Sequence, residues 1–192
     1  TAVGVKTRAT GAYSGAFGFQ AKAYGAMSQA LGAYAKVSSS GKFSTAIGVV
    51  SDASGYSSNA FGGFARAMGS RTTALGGGAY ALGAGCTAVG IDTQCIGAKS
   101  IGFGVYAGAL GLGSQAIGSY SLAAGDYSVA SGFLARAGGG YSIAEGTLAY
   151  SQGFASNAIG SYSHAVGDYS TSLGAYSQST GDRSQALGAY SL

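Results

Sequence analysis

Small and variable residues alternate along this chain at a fixed phase. Each seven-residue stretch reads small, variable, small, variable, glycine, followed by two turn-type residues. Glycine marks the period at Gly4, Gly11, Gly18, Gly25 and Gly32, and then without a miss from Gly41 to Gly188. The one irregular step, Gly32 to Gly41, spans nine residues and carries a two-residue insertion, which reads as a lengthened turn at Ala33-Tyr34-Ala35-Lys36. The position two before each glycine is Ala, Ser, Cys or Gly, and the position four before it is Ser, Thr, Ala or Cys everywhere except Val37. Side chains alternate faces along a strand, so the pattern predicts a five-residue strand whose small residues and glycine share one face. A face stripped to Ser, Ala and Gly implies very close approach of another sheet. The expected fold is all-β, a β-solenoid with a narrow lumen and serine ladders along the stack that satisfy the buried hydroxyls. Heptads also mark coiled coils, but glycine at 27 heptad positions, each costing roughly 1 kcal/mol in a helix relative to alanine, removes that reading.

Alternate heptads differ, so the true period is fourteen residues. In one set the residue before glycine is Val3, Phe17, Leu31, Ile47, Phe61, Leu75, Val89, Phe103, Ile117, Ser131, Glu145, Ile159, Leu173 and Leu187. At the two polar exceptions the apolar residue moves two places earlier, to Val129 and Ile143, on the same strand face. The stripe is expected to be continuous and to face away from the lumen. In the other set the outward positions include Arg8, Lys22, Asp52, Arg66, Arg136 and His164. One sheet is therefore charged and faces water. The other carries a ladder of large apolar residues, worth about 1.5 to 3 kcal/mol each if buried, and calls for a partner chain.

Composition supports order. Abundant Gly and Ser with 8% charged residues would suit a linker, but 47% of residues are hydrophobic and they hold their phase. Residues 1–100 hold eight basic and two acidic side chains, and residues 101–192 hold two basic and four acidic. The basic residues are too dispersed for a nucleic-acid patch. The uncharged run from Ser100 to Gly125 keeps the glycine period and reads as more of the repeat, not as a membrane helix.

Ser114-Gln115-Ala116-Ile117-Gly118 followed by Ser121-Leu122-Ala123-Ala124-Gly125-Asp126, and Ser156-Asn157-Ala158-Ile159-Gly160 followed by Ser163-His164-Ala165-Val166-Gly167-Asp168, resemble the head repeats of trimeric autotransporter adhesins, the YadA-like heads of Gram-negative surface fibres. The resemblance covers nearly the whole chain. It implies a left-handed parallel β-roll of about fourteen coils, assembled as a homotrimer through the apolar stripe, with its anchor to the outer membrane in regions outside this chain. It also implies adhesion to host matrix, cells or surfaces at the bacterial exterior. The chain is expected to be a single repeat domain over residues 1–192, with its turn insertion near 33–41, and a fragment of a longer array. A self-assembling extracellular filament built from stacked coils is the alternative.

Three further features are candidates for chemistry. Cys86 and Cys95 occupy small, lumen-facing positions in the two strands of one coil, so they read either as a disulfide across the lumen or as two buried small residues. Ten tyrosines, Tyr13, Tyr34, Tyr106, Tyr120, Tyr127, Tyr141, Tyr162, Tyr169, Tyr176 and Tyr190, sit two after a glycine and are expected to stack between turns. On the charged sheet Met68, Leu82, Ile96 and Leu110 recur in successive coils, flanked by Arg66, Tyr80 and Leu122, as a candidate ligand-contacting patch. Catalytic and metal-ligating constellations are absent, and no cofactor is expected. His164 stands alone, and strings such as Gly76-Gly77-Gly78 follow from the repeat.

Overall fold

The computed structural model describes residues 1–192, in two compact units, Thr1–Ala98 and Lys99–Leu192. Each unit is a parallel β-solenoid, and no helix occurs in either. In the first unit the stripe-bearing strands, Ala2–Val3 and then Gly15–Phe17 through Thr87–Val89, form one sheet, and Arg8–Ala9 through Gln94–Cys95 form the other. In the second unit Ile101–Phe103 through Gln185–Leu187 form one sheet, and Gly108–Ala109 through Gln178–Ser179 the other. Pairing is parallel with a fourteen-residue offset, as in Thr73 with Thr87, Ala74 with Ala88 and Leu75 with Val89, and with a sixteen-residue offset across the insertion, as in Gln29 with Thr45.

The strands are three or two residues long, shorter than the expected five. Two features end them. Glycines that follow the stripe adopt a backbone conformation closed to other residues, such as Gly76 at φ +132°. Residues three after a glycine then turn back on it, as where Ser128 N–H donates to the Gly125 carbonyl at 3.2 Å. The glycines also lie at the corners, where successive coils nearly touch, and do not share the lumen face. A Cβ on Gly76 would stand 2.1 Å from the Gly90 carbonyl oxygen, and one on Gly125 would stand 2.0 Å from that of Gly139. The seven-residue rhythm is thus a requirement of coil-to-coil approach.

The lumen is filled by alanine and serine, with Ala30, Ala74, Ala130 and Ala158 fully buried. Serine ladders along the stack are not what satisfies the hydroxyls. Most bond within their own turn, three residues back: Ser28 Oγ to the Gly25 carbonyl at 2.6 Å, Ser128 Oγ to Gly125 at 2.6 Å and Ser163 Oγ to Gly160 at 2.8 Å. A local acceptor is always within reach, whereas a ladder needs a serine in every coil. Pairs across the lumen occur where both strands offer serine, as in Ser172 with Ser177 at 2.6 Å. The buried hydroxyls of Ser114, Ser142 and Ser170 have no partner.

The insertion lies later than the sequence suggested. The turn Ala33 to Lys36 is regular: Tyr34 has the usual φ of 60° and its N–H bonds the Phe19 carbonyl at 2.8 Å. Lys36 and Val37 pair in register with Lys22 and Ala23 before them and with Asp52 and Ala53 after them. The extra residues bulge out after Val37, at Ser38 to Ser40. There the Ser38 hydroxyl donates to that of Ser40 at 2.7 Å, and the Ser40 hydroxyl donates to the Ser54 carbonyl at 2.8 Å. Val37 is the largest fully buried side chain, and it occupies the lumen beside this widened corner.

Candidate functional site

On the outer face of the three-residue strands the stripe is exposed or half-buried throughout. In the first unit Val3, Phe17, Ile47 and Leu75 are exposed, and Leu31, Phe61 and Val89 are half-buried. In the second, Phe103, Ile117, Leu173 and Leu187 are exposed, with Leu187 at 60%, and Ile159 is half-buried. The stripe is not straight. Ser131 pairs with Glu145 in its row, while Val129 and Ile143 pair with Gln115 and Asn157 in the neighbouring row. Two residues along a strand is about 6.6 Å, so the apolar track steps sideways by that distance. Ile101, which the sequence reading passed over, is exposed in the same flanking row.

The two-residue strands carry the polar row outward. Lys36 and Asp52, neighbours in register, form an ion pair at 3.4 Å, an exposed pair worth little to stability. Met68, Leu82 and Ile96 are brought together in the first unit, each following a buried lumen residue of paired strands, with Arg66 and Tyr80 paired in the adjoining row. Leu110 is exposed in the second unit, whereas Leu122 lies in the other row, between Gly108 and Arg136.

Residues two after the period glycines hold left-handed backbone despite their side chains, from Asp92 at φ 50° to Phe64 at φ 61°. Such conformations are strained. Here a coil-to-coil bond holds most of them, as where Tyr120 N–H meets the Val105 carbonyl at 2.9 Å. The position projects rings in line. Tyr162, Tyr176 and Tyr190 stack face to face at 4.8 and 5.1 Å, and Tyr106 stacks on Tyr120 at 5.2 Å. On the opposite edge Tyr127, Tyr141, Phe154 and Tyr169 form an unbroken run, stacked at its first step and edge-to-face after it.

Aspartates beside these rings have a role that the sequence reading missed. Asp126 Oδ1 accepts the Leu112 N–H at 2.8 Å, Asp168 Oδ1 that of Phe154 at 2.7 Å, and Asp182 Oδ1 that of Asp168 at 3.0 Å. Each caps the turn of the coil before it. The Gly-Asp spacing within the period was the available signal.

Cys86 and Cys95 are fully buried in the first unit, and both are thiols. Cys86 Sγ donates to the Cys95 carbonyl at 3.1 Å. Its hydrogen bond with the Cys95 side chain, and then burial, push the Cys86 pKa well up, which keeps the thiol protonated.

The second unit also holds a cleft that the sequence did not single out. Leu134, Arg136, Leu148, Tyr150 and His164 enclose 340 Å³. His164, read from sequence as isolated, meets Tyr150 edge-on at 5.8 Å.

The solenoid thus has a lumen of alanine and serine, a glycine corner and an apolar outer stripe. The YadA head domain repeat model matches residues 123–149, 151–177 and 165–191. Residues 123–191 therefore carry a repeat similar to the YadA-like head repeats of trimeric autotransporter adhesins. No curated protein matches the chain.

Proposed function

We propose that this chain is the head of a bacterial surface adhesin that assembles as a homotrimer through the stripe-bearing sheets and attaches the cell to matrix, to other cells or to solid surfaces. The exposed apolar stripe carries the reading. A monomer would leave Phe17, Ile47, Leu75, Phe103 and Leu173 in water, each on a strand whose other face is already filled by a small residue, Ala16, Ala46, Ala74, Gly102 and Ser172 in turn. No further element of the chain covers them, and exposed tracts of this kind mark interfaces. Burying the stripe at a common axis leaves the two-residue-strand sheets and the aromatic turns facing outward, where a ligand can reach them.

Attachment of chain-coated beads tests the function. Beads are expected to adhere to at least one of a matrix-coated surface, a cell monolayer or bare polystyrene, above beads coated with an unrelated soluble protein. Adhesion to none of the three would overturn the adhesin reading.

A further inference from the structure

In the second unit Leu122, Arg136, Tyr150, His164 and Gln178 occupy one outward row, each one coil beyond the last. Successive members are about 4.8 Å apart, the spacing of paired strands. Alongside runs the turn row Leu134, Leu148, Tyr162 and Tyr176, each two residues before its neighbour on the sheet. The 340 Å³ cleft lies between the rows at Arg136, Tyr150 and His164. It continues past His164 into a 250 Å³ depression bounded by Tyr162, Tyr176 and Gln178. On the other flank a 160 Å³ depression shares Arg136 and Tyr150 with Leu122. Arg136 and Tyr150 thus stand in an elongated trough with space on both sides.

The side chains there are held in place and their charge is uncompensated. The edge contact with His164 fixes the Tyr150 ring, and its hydroxyl donates to Gln152 Oε1. Arg136 is exposed, and no carboxylate pairs with it. The acids of this unit are engaged elsewhere: Asp126, Asp168 and Asp182 cap turns, and Glu145 lies on the stripe-bearing sheet. The apolar flank of Leu134 and Leu148 with a phenol face suits a ligand that has apolar ring faces. The guanidinium fork suits a carboxylate, and the imidazole and the Gln178 amide suit hydroxyls. An extended peptide finds no strand edge here, because the trough lies on a sheet face whose strands are paired on both sides. An elongated chain of rings, hydroxyls and carboxylates is an acidic oligosaccharide.

We propose that this trough binds a uronate-bearing oligosaccharide, with a pyranose face on the Tyr150 ring and a carboxylate on the Arg136 fork. The inference rests on the adhesin reading and names a ligand class for it.

Isothermal titration of the full chain with a hyaluronan octasaccharide, in which glucuronate alternates with N-acetylglucosamine, tests it against an uncharged N-acetylglucosamine oligomer of equal length. The octasaccharide is expected to bind at least tenfold more tightly than the uncharged oligomer. Arg136→Ala and Tyr150→Ala are each expected to weaken binding at least tenfold with unchanged melting temperature, and Tyr150→Phe, which keeps the ring, is expected to retain most of it. Equal binding of the two oligomers, no binding by the wild-type chain, or variants that bind as the wild type does would each overturn the proposal. Beads that still attach to surfaces while the chain ignores the octasaccharide would overturn the glycan trough and leave the adhesin reading standing. Beads that attach to nothing would sink the adhesin reading itself.

Discussion

The backbone N–H of Phe154 donates to Asp168 Oδ1 at 2.7 Å, across one step of the stack. The carboxylate sits in the turn that follows Gly167 and reaches back to a turn fourteen residues earlier, so a side chain does there what strand pairing does elsewhere. Asp126 and Asp182 repeat the contact with Leu112 and Asp168. Asp168 therefore both caps a coil and is capped, which links three successive turns of the second unit.

Replacing Asp168 with alanine is expected to cost about 1 kcal/mol, the net worth of an ordinary hydrogen bond, because solvent screens the charge at this exposed turn. Asp168→Asn keeps an acceptor oxygen and should fall between wild type and Asp168→Ala. Urea midpoints of the three proteins check this, and equal midpoints would show that the cap contributes nothing.

Gly76 and Gly77 are adjacent, yet they should respond oppositely to alanine. A Cβ on Gly76 meets the Gly90 carbonyl oxygen at 2.1 Å from a φ of +132°, whereas a Cβ on Gly77 meets nothing within 4 Å. Gly76→Ala is expected to cost at least about 3 kcal/mol through backbone strain and forced separation of coils. Gly77→Ala is expected to be neutral or to stabilise by up to about 1 kcal/mol. Thermal unfolding of the pair decides it; similar losses at both positions would show that glycine is needed only for turn flexibility.

The buried thiols make a prediction about pH. Cys86 has a pKa raised above the usual thiol value by its Cys95 hydrogen bond and by burial, so the folded chain keeps a proton that the unfolded chain releases. Below the ordinary thiol pKa of about 8.5 both states are protonated and stability does not vary with this group. Above it stability falls as pH rises, because the unfolded state binds fewer protons. Cys86→Ser, which offers the Gly83 carbonyl the same hydroxyl that Ser128 gives Gly125, should unfold at the same midpoint near neutral pH and lose less stability in alkali. A thiol reagent should react slowly with the native chain and find both cysteines after unfolding; finding neither thiol in the unfolded, unreduced chain would mean that the sulfurs are bonded.

The glycine period made the fold legible, because the close approach of Gly62 to Gly76 or of Gly125 to Gly139 admits no other residue. The outward stripe followed from the same phase, and the stacking of Tyr176 on Tyr190 followed from spacing alone. What could not be read depends on competition between near-equal partners. Ser28 could bond along the stack or back to Gly25, and only the turn's geometry selects the second. The nine-residue step between Gly32 and Gly41 could open before or after Val37, and the pairing of Val37 with Ala23 and Ala53 puts it after. The Asp caps join residues fourteen apart in different heptads, and the trough joins Arg136, Tyr150 and His164 across three coils. A single heptad shows neither.

The central claim is that the stripe-bearing sheets assemble three chains. Sedimentation equilibrium of the wild-type chain beside an Ile47→Lys, Leu75→Lys, Phe103→Lys variant tests it most directly, since these three side chains are exposed and away from the lumen. The wild type is expected at three times the chain mass of 18.6 kDa, and the variant at one chain mass with its β-sheet circular dichroism retained. A wild-type chain that sediments as a monomer, or as open-ended, concentration-dependent fibres, would contradict the account, as would a lysine variant that stays trimeric.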